Sequence, residues 1–135
     1  MNKITFRAPY PVSVNRLWMP VRGRMVLTDE ARAYRQHLGH IAGEYAGQGV
    51  FFPNDQLLSL ELILYRPSKR GDTGNFEKIV SDSMNKILFV DDEQFIEIHL
   101  FRRDKPEDPH VLITIEHIED REPKKRKTKT ERMAI

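Results

Sequence analysis

The stretch Leu57-Leu-Ser-Leu-Glu-Leu-Ile-Leu-Tyr65 places the strongest constraint on the fold. In an extended chain Leu58, Leu60, Leu62 and Leu64 share one face, and Leu57, Ser59, Glu61, Ile63 and Tyr65 share the other. A strand that is largely apolar on both sides belongs inside a sheet. Other strands must therefore flank it. Residues 3–8 alternate, with Ile4, Phe6 and Ala8 opposite Lys3, Thr5 and Arg7, which predicts a half-exposed strand ended by Pro9 and Pro11. Residues 95–101 and 111–118 read as two more strands, the last antiparallel to the one before it. Arg102, Arg103 and Lys105 lie in the turn between them with Pro106 and Pro109.

Helical periodicity appears twice. Thr28 is placed to cap a helix whose first turn holds Asp29 and Glu30, and Tyr34, Leu38, Ile41, Ala42 and Tyr45 mark its apolar face. Gly47, Gly49 and Pro53 end it. The second pattern, Phe76, Ile79, Val80, Met84, Ile87 and Leu88, predicts a helix running to Leu88. Residues 17–27 suggest a hairpin with Arg22 and Arg24 at its tip. The expected order is β, hairpin, α, β, α, β, β, a single α+β domain with two main helices packed on a mixed sheet.

A chain of 135 residues suffices for one core. It has no cysteine, which excludes disulfides, thiolate zinc sites and a cysteine nucleophile and fits a reducing, cytoplasmic setting. The N-terminus does not resemble a signal peptide, and no apolar run approaches membrane-spanning length. His37, His40, His99, His110 and His117 form no paired zinc-ligand motif. The net charge of +2 is uneven. Residues 119–135 carry seven basic and four acidic residues, leaving 15 basic and 16 acidic in residues 1–118, a net −1. The expected division is a folded domain over 1–118 and a basic, disordered tail over 119–135. Nucleic acid would be met by local patches, with the tail adding long-range attraction.

The chemistry concentrates in residues 66–94. A basic turn (Arg66, Lys69, Arg70) leads to Asp72, the second helix follows, and Asp91 and Asp92 come after it. Asn75, Lys78 and Asp82 form a polar stripe at i, i+3 and i+7. If the chain folds back after Leu88, carboxylates from both ends meet. Mg²⁺ prefers such oxygens and needs only one or two of them beside water and substrate phosphate, which points to metal-assisted phosphodiester hydrolysis. From spacing alone the structural reading comes ahead: Asp72 or Thr73 as a helix N-cap, Asp91–Asp92 as a turn, and Lys78–Asp82 as a solvated pair.

From about Ile4 to Ile118 the chain resembles the RusA-type Holliday junction resolvases. Four segments carry the resemblance: Pro11-Val-Ser-Val-Asn15-Arg16; Gly23-Arg24 through Leu27-Thr28, Glu30 and Tyr34-Arg35; Gly71-Asp72-Thr-Gly-Asn75-Phe-Glu-Lys78 with Asp82; and Val90-Asp91-Asp92-Glu-Gln94. The last two are the more specific. One departure stands out. The family's central motif reads Asp-x-Asp-Asn-x-x-Lys, and its second aspartate position is Gly74 here. The site then works with fewer acidic ligands, or catalysis is weakened, or another carboxylate substitutes. Asp82 and Glu77 are nearest, and Asp82 shares the stripe with Asn75 and Lys78.

The resemblance implies a Mg²⁺-dependent endonuclease acting on four-way DNA junctions as a homodimer, in recombination and repair. It implies that Asp72 and Asp92 hold metal, with Asp91 as a ligand or supporting group. Lys78 stabilises phosphate charge or positions water, and Asn75 orients an aspartate or binds phosphate. DNA contacts are implied for Asn15, Arg16, Arg22, Arg24, Arg66, Lys69 and Arg70. Two alternatives remain open: a junction-binding protein without cleavage, and a metal-dependent nuclease on other branched DNA.

Overall fold

The computed structural model describes residues 2–12, 16–67 and 76–119. Its elements are β1 (Lys3–Ala8), β2 (Trp18–Val21), β3 (Arg24–Leu27), α1 (Asp29–Gly47), β4 (Leu57–Arg66), α2 (Glu77–Met84), β5 (Phe95–Asp104) and β6 (His110–Ile118). A 3-10 turn, Asp92–Gln94, precedes β5. The architecture is the expected α+β domain with a mixed sheet.

The main sheet has the order β1-β6-β4-β5, and β2 and β3 form a separate two-stranded ribbon. β4 is central, as its two-sided apolar pattern requires, and Leu58, Leu60, Leu62 and Leu64 are fully buried on one face. β6 runs antiparallel to both β1 and β4. The direction expected for the last strand relative to β5 is found, but the two are not neighbours. β6 lies between β1 and β4, and β5 takes the edge, parallel to β4. The side chains explain this order. Val111, Ile113 and Ile115 are buried, as are His110 and Thr114 on β6, whereas β5 carries Glu97, Arg102, Arg103 and Asp104, charges that suit an edge strand.

Parallel strands need a crossover, and the crossover from β4 to β5 contains α2 and the acidic turn. Thr28 caps α1 as expected, its hydroxyl accepting from the Ala31 N–H at 3.2 Å. α1 buries Ala31, Tyr34, Leu38 and Ala42 and packs against α2. At their crossing Gly39 faces the Ser83 carbonyl oxygen, which a Cβ there would meet at 3.4 Å, an ordinary van der Waals contact. The ring of Tyr45 meets Phe6 of β1 at 5.0 Å, and the Tyr34 hydroxyl donates to the Pro9 carbonyl at 2.8 Å.

α2 is shorter than its periodicity predicts. It ends at Met84, Asn85 turns extended, and Lys86 adopts φ 67°, a left-handed turn residue. Ile87 and Leu88 therefore pack from an irregular segment, although Leu88 and Phe89 are fully buried. Tertiary contacts hold that segment. The Phe52 N–H donates to the Leu88 carbonyl at 2.8 Å, and Phe89 packs edge-on against Phe95 at 4.7 Å. The chain turns back after Leu88 and brings Asp92 to Lys78; Asp72, the carboxylate expected from the other end of the helix, lies outside the described residues.

Among the described residues no helix is long and apolar enough to cross a membrane. The expected tail lies outside the described residues except for Glu119.

Candidate active site

Lys78 stands in the first turn of α2, and its ammonium reaches along the helix to Asp82, one turn on, at 3.3 Å. The same nitrogen lies 4.0 Å from a carboxylate oxygen of Asp92, beyond the helix and at the start of the 3-10 turn. Helix and acidic turn thus converge on one cation. The ammonium is well exposed, and both acids are partly so, which leaves the cluster open to a ligand from solvent.

The two adjacent aspartates have different environments. Asp91 is the N-cap of the 3-10 turn, its Oδ1 accepting from the Glu93 N–H at 2.9 Å. That bond, a hydrogen bond shared with Asp92 and the charge of Lys86 hold the Asp91 carboxyl below the usual carboxylate range. Asp92 is pushed the other way. Its hydrogen bond with Asp91 and partial burial raise it, the nearby Asp82 and Asp91 charges add to this, and Lys78 opposes it. The reading of Asp91–Asp92 as a simple turn thus describes Asp91, which caps it, while Asp92 is the member that approaches Lys78.

Gln94 fixes this turn in place. It is buried, and its side-chain oxygen accepts from the Val90 N–H at 2.8 Å and the Asp91 N–H at 3.0 Å. Its amide donates to the Pro53 carbonyl at 2.7 Å and the Gln56 carbonyl at 3.1 Å. One side chain therefore clamps the acidic turn to the loop before β4. Sequence reading assigned it no role, although Asp91-x-x-Gln94 has the spacing of a reciprocal capping box.

The N-cap position of α2 is Phe76, which makes no side-chain cap hydrogen bond; Asp72 and Thr73, the cap candidates of the sequence, lie outside the described residues. Asp72, Asn75 and Gly74 lie outside the described residues, as do Asn15, Lys69 and Arg70. Arg66, the last residue of β4, is bound by Asp104 of β5, with Nε at 3.0 Å and Nη2 at 2.7 Å from the same oxygen. Arg16 is exposed and reaches Glu30 at 3.3 Å. Arg22 and Arg24 are exposed at the tip of the β2–β3 ribbon, where Arg22 (φ 50°) and Gly23 (φ 78°) make the turn.

Among the described residues no three acidic or histidine side chains are grouped closely enough to hold a metal by themselves. The donors present are nonetheless of the right kind. Asp92 and Asp91 offer hard oxygens whose mutual repulsion a cation would relieve, and Mg²⁺ asks for only one or two protein carboxylates. Beside them Asp82 and Lys78 supply a negative and a positive charge, the combination that phosphodiester hydrolysis uses to bind cation and phosphate together. No curated protein matches the chain. The family model described as endodeoxyribonuclease RusA matches residues 9–116.

Proposed function

The chain belongs to the RusA endodeoxyribonuclease family, and from that premise we propose that it is a Mg²⁺-dependent endonuclease resolving four-way DNA junctions, acting in recombination and repair. The observation that carries the reading is the convergence of Lys78, Asp82 and Asp92 from two separate parts of the β4–β5 crossover. A structural surface pair needs only Lys78 and Asp82. The approach of Asp92 adds a second carboxylate to that pair, which supports a site binding cation and phosphate side by side.

In this reading Asp92 and Asp72 would hold the cation, and Asp91, accepting from the Glu93 N–H, supports the turn that carries Asp92. When bound, Mg²⁺ polarises the scissile phosphate and acidifies a water. Lys78 binds a non-bridging phosphate oxygen and offsets the charge that develops there, and Asp82 orients the ammonium. Asp82 also stands nearest to the role of the carboxylate missing at Gly74. Asn75 hydrogen-bonds the phosphate or an aspartate. Arg22 and Arg24, with Asn15, Arg16, Lys69 and Arg70, hold the flanking backbone, which sets register without reading sequence. Arg66 contributes to this patch while anchored by Asp104. A two-fold homodimer would present two such sites to two strands of a two-fold junction.

The test is cleavage of a labelled synthetic four-way junction, in Mg²⁺ and in EDTA, by the wild-type chain, Asp72→Asn and Asp92→Asn. Paired cuts that need metal and vanish in both variants support the proposal. Junction binding without cuts in any divalent metal means that cleavage has been lost. Equal cutting of flap, duplex and single strand makes it a nuclease without junction preference.

A further inference from the structure

The β2–β3 ribbon is rigidly rooted yet leaves its large apolar side chains in solvent. At its base the Thr28 N–H donates to the Leu17 carbonyl at 2.9 Å, the Thr28 hydroxyl donates to the Arg16 carbonyl at 2.6 Å, and Leu17 is buried. Beyond that root Trp18 is 50% exposed and Met25 62% exposed. Trp18 pairs directly with Leu27, and Met25 lies two residues before Leu27 on the same strand, so all three side chains share one face of the ribbon. Leu27 also lines an open groove of about 480 Å³ between α1 and α2. Arg35 stands on the α1 side of that groove, and Asp82, the partner of Lys78, on the α2 side. One continuous surface therefore runs from an exposed tryptophan, past an arginine, to the acid–lysine cluster.

We propose that this surface is a binding track for an unpaired DNA strand, with bases stacked on Trp18 and Met25 and a phosphate held by Arg35 on the way to Lys78 and Asp92. The inference rests on the endonuclease reading and adds to it how a strand reaches the site. Charge and chemistry select the occupant. Arg22 stands at the tip of the ribbon, and Arg35 in the groove has no ionic partner among the described residues, whereas the core of a protein–protein interface is depleted of charge. An exposed tryptophan followed by an unpaired arginine suits a single strand, because every base has a stacking face and every nucleotide a phosphate.

Trp18 is the only tryptophan in the chain, so its fluorescence reports this surface alone. The full-length protein is titrated with oligothymidylate and with a four-way junction, both in EDTA. The expected result is strong quenching by both, with oligothymidylate affinity about tenfold weaker in Trp18→Ala and restored in Trp18→Phe, read by anisotropy of labelled DNA. Arg35→Ala lowers the slope of log affinity against log salt by about one. Circular dichroism checks that each variant is folded. Junction cleavage with unchanged Trp18 emission and wild-type affinity in Trp18→Ala overturns the track and leaves the endonuclease reading standing. A concentration-dependent blue shift without DNA, abolished by Met25→Lys, also overturns it and makes the ribbon an interface with a second copy. Neither binding nor cleavage of any DNA overturns both readings together.

Discussion

The Lys78 ammonium lies 4.0 Å from the Asp92 carboxylate, joining the first turn of a helix to a turn on the far side of the same crossover. Lys78 is exposed and Asp92 partly so, so the weight of the pair in folding is small.

Lys78→Ala should therefore separate stability from activity. The loss in unfolding free energy should stay below about 1 kcal/mol. Cleavage should fall by about 10²–10³, the usual effect of removing one group that stabilises transition-state charge. Urea denaturation beside single-turnover cleavage checks both. A large stability loss would mean that Lys78 is structural.

Asp92→Asn should leave the metal-free fold at least as stable as wild type, within about 0.5 kcal/mol or better. The sign follows from the raised Asp92 value. A carboxyl raised in the folded state contributes stability in acid, and that contribution disappears as pH rises through the raised value. Wild type should thus lose ground to the asparagine variant from acid to neutral pH in EDTA. Mg²⁺ should reverse the order, adding about 2.7 kcal/mol to wild type at a hundred times its Kd and much less to the variant. Thermal melting with and without Mg²⁺ decides the matter.

Gln94→Met should destabilise the protein by about 2–3 kcal/mol, because it keeps the volume but strands the buried groups that the amide satisfies. Gln94→Glu should cost more, since it points a second oxygen at the Pro53 and Gln56 carbonyls and adds charge beside Asp91. Both should slow cleavage by releasing the acidic turn. Denaturant titration ranks the two, and wild-type stability in either would remove the clamp.

Asp82→Asn should reduce cleavage at least tenfold if Asp82 stands in for the aspartate absent at Gly74. Gly74→Asp should then recover activity in that background. Failure of the second change to rescue the first, measured as initial rates on a junction, would leave Asp82 as a holder of Lys78 only.

Arg66→Ala and Asp104→Ala should each cost about 1 kcal/mol or less and couple in a double-mutant cycle, as a cross-strand pair. A DNA role adds a second signature: weaker junction binding in Arg66→Ala alone. Equal binding in both single variants would confine Arg66 to the sheet.

Much of the fold is legible in local pattern. Two-sided leucines identify β4 as central, Thr28 announces the start of α1, and the span 17–27 forms the expected ribbon. Part of the candidate site is legible too, because Lys78 and Asp82 are one helical turn apart and Asp91–Asp92 adjoin. What local pattern misses has a common cause. Leu88 continues the helical period, yet the buried Phe52 and Phe89 and the left-handed Lys86 take it out of the helix, and periodicity carries no information about such distant partners.

By itself the sequence determined which faces are apolar, where the first helix begins, and that Lys78 and Asp82 lie one helical turn apart, since these follow from spacing and capping along a few turns of chain. Only the tertiary structure decided that β6 enters between β1 and β4, that Gln94 clamps the acidic turn, and that Asp92 meets Lys78. Those outcomes depend on which strands pair and where the crossover returns, and pairing is selected by burial summed over the whole sheet rather than by any one segment.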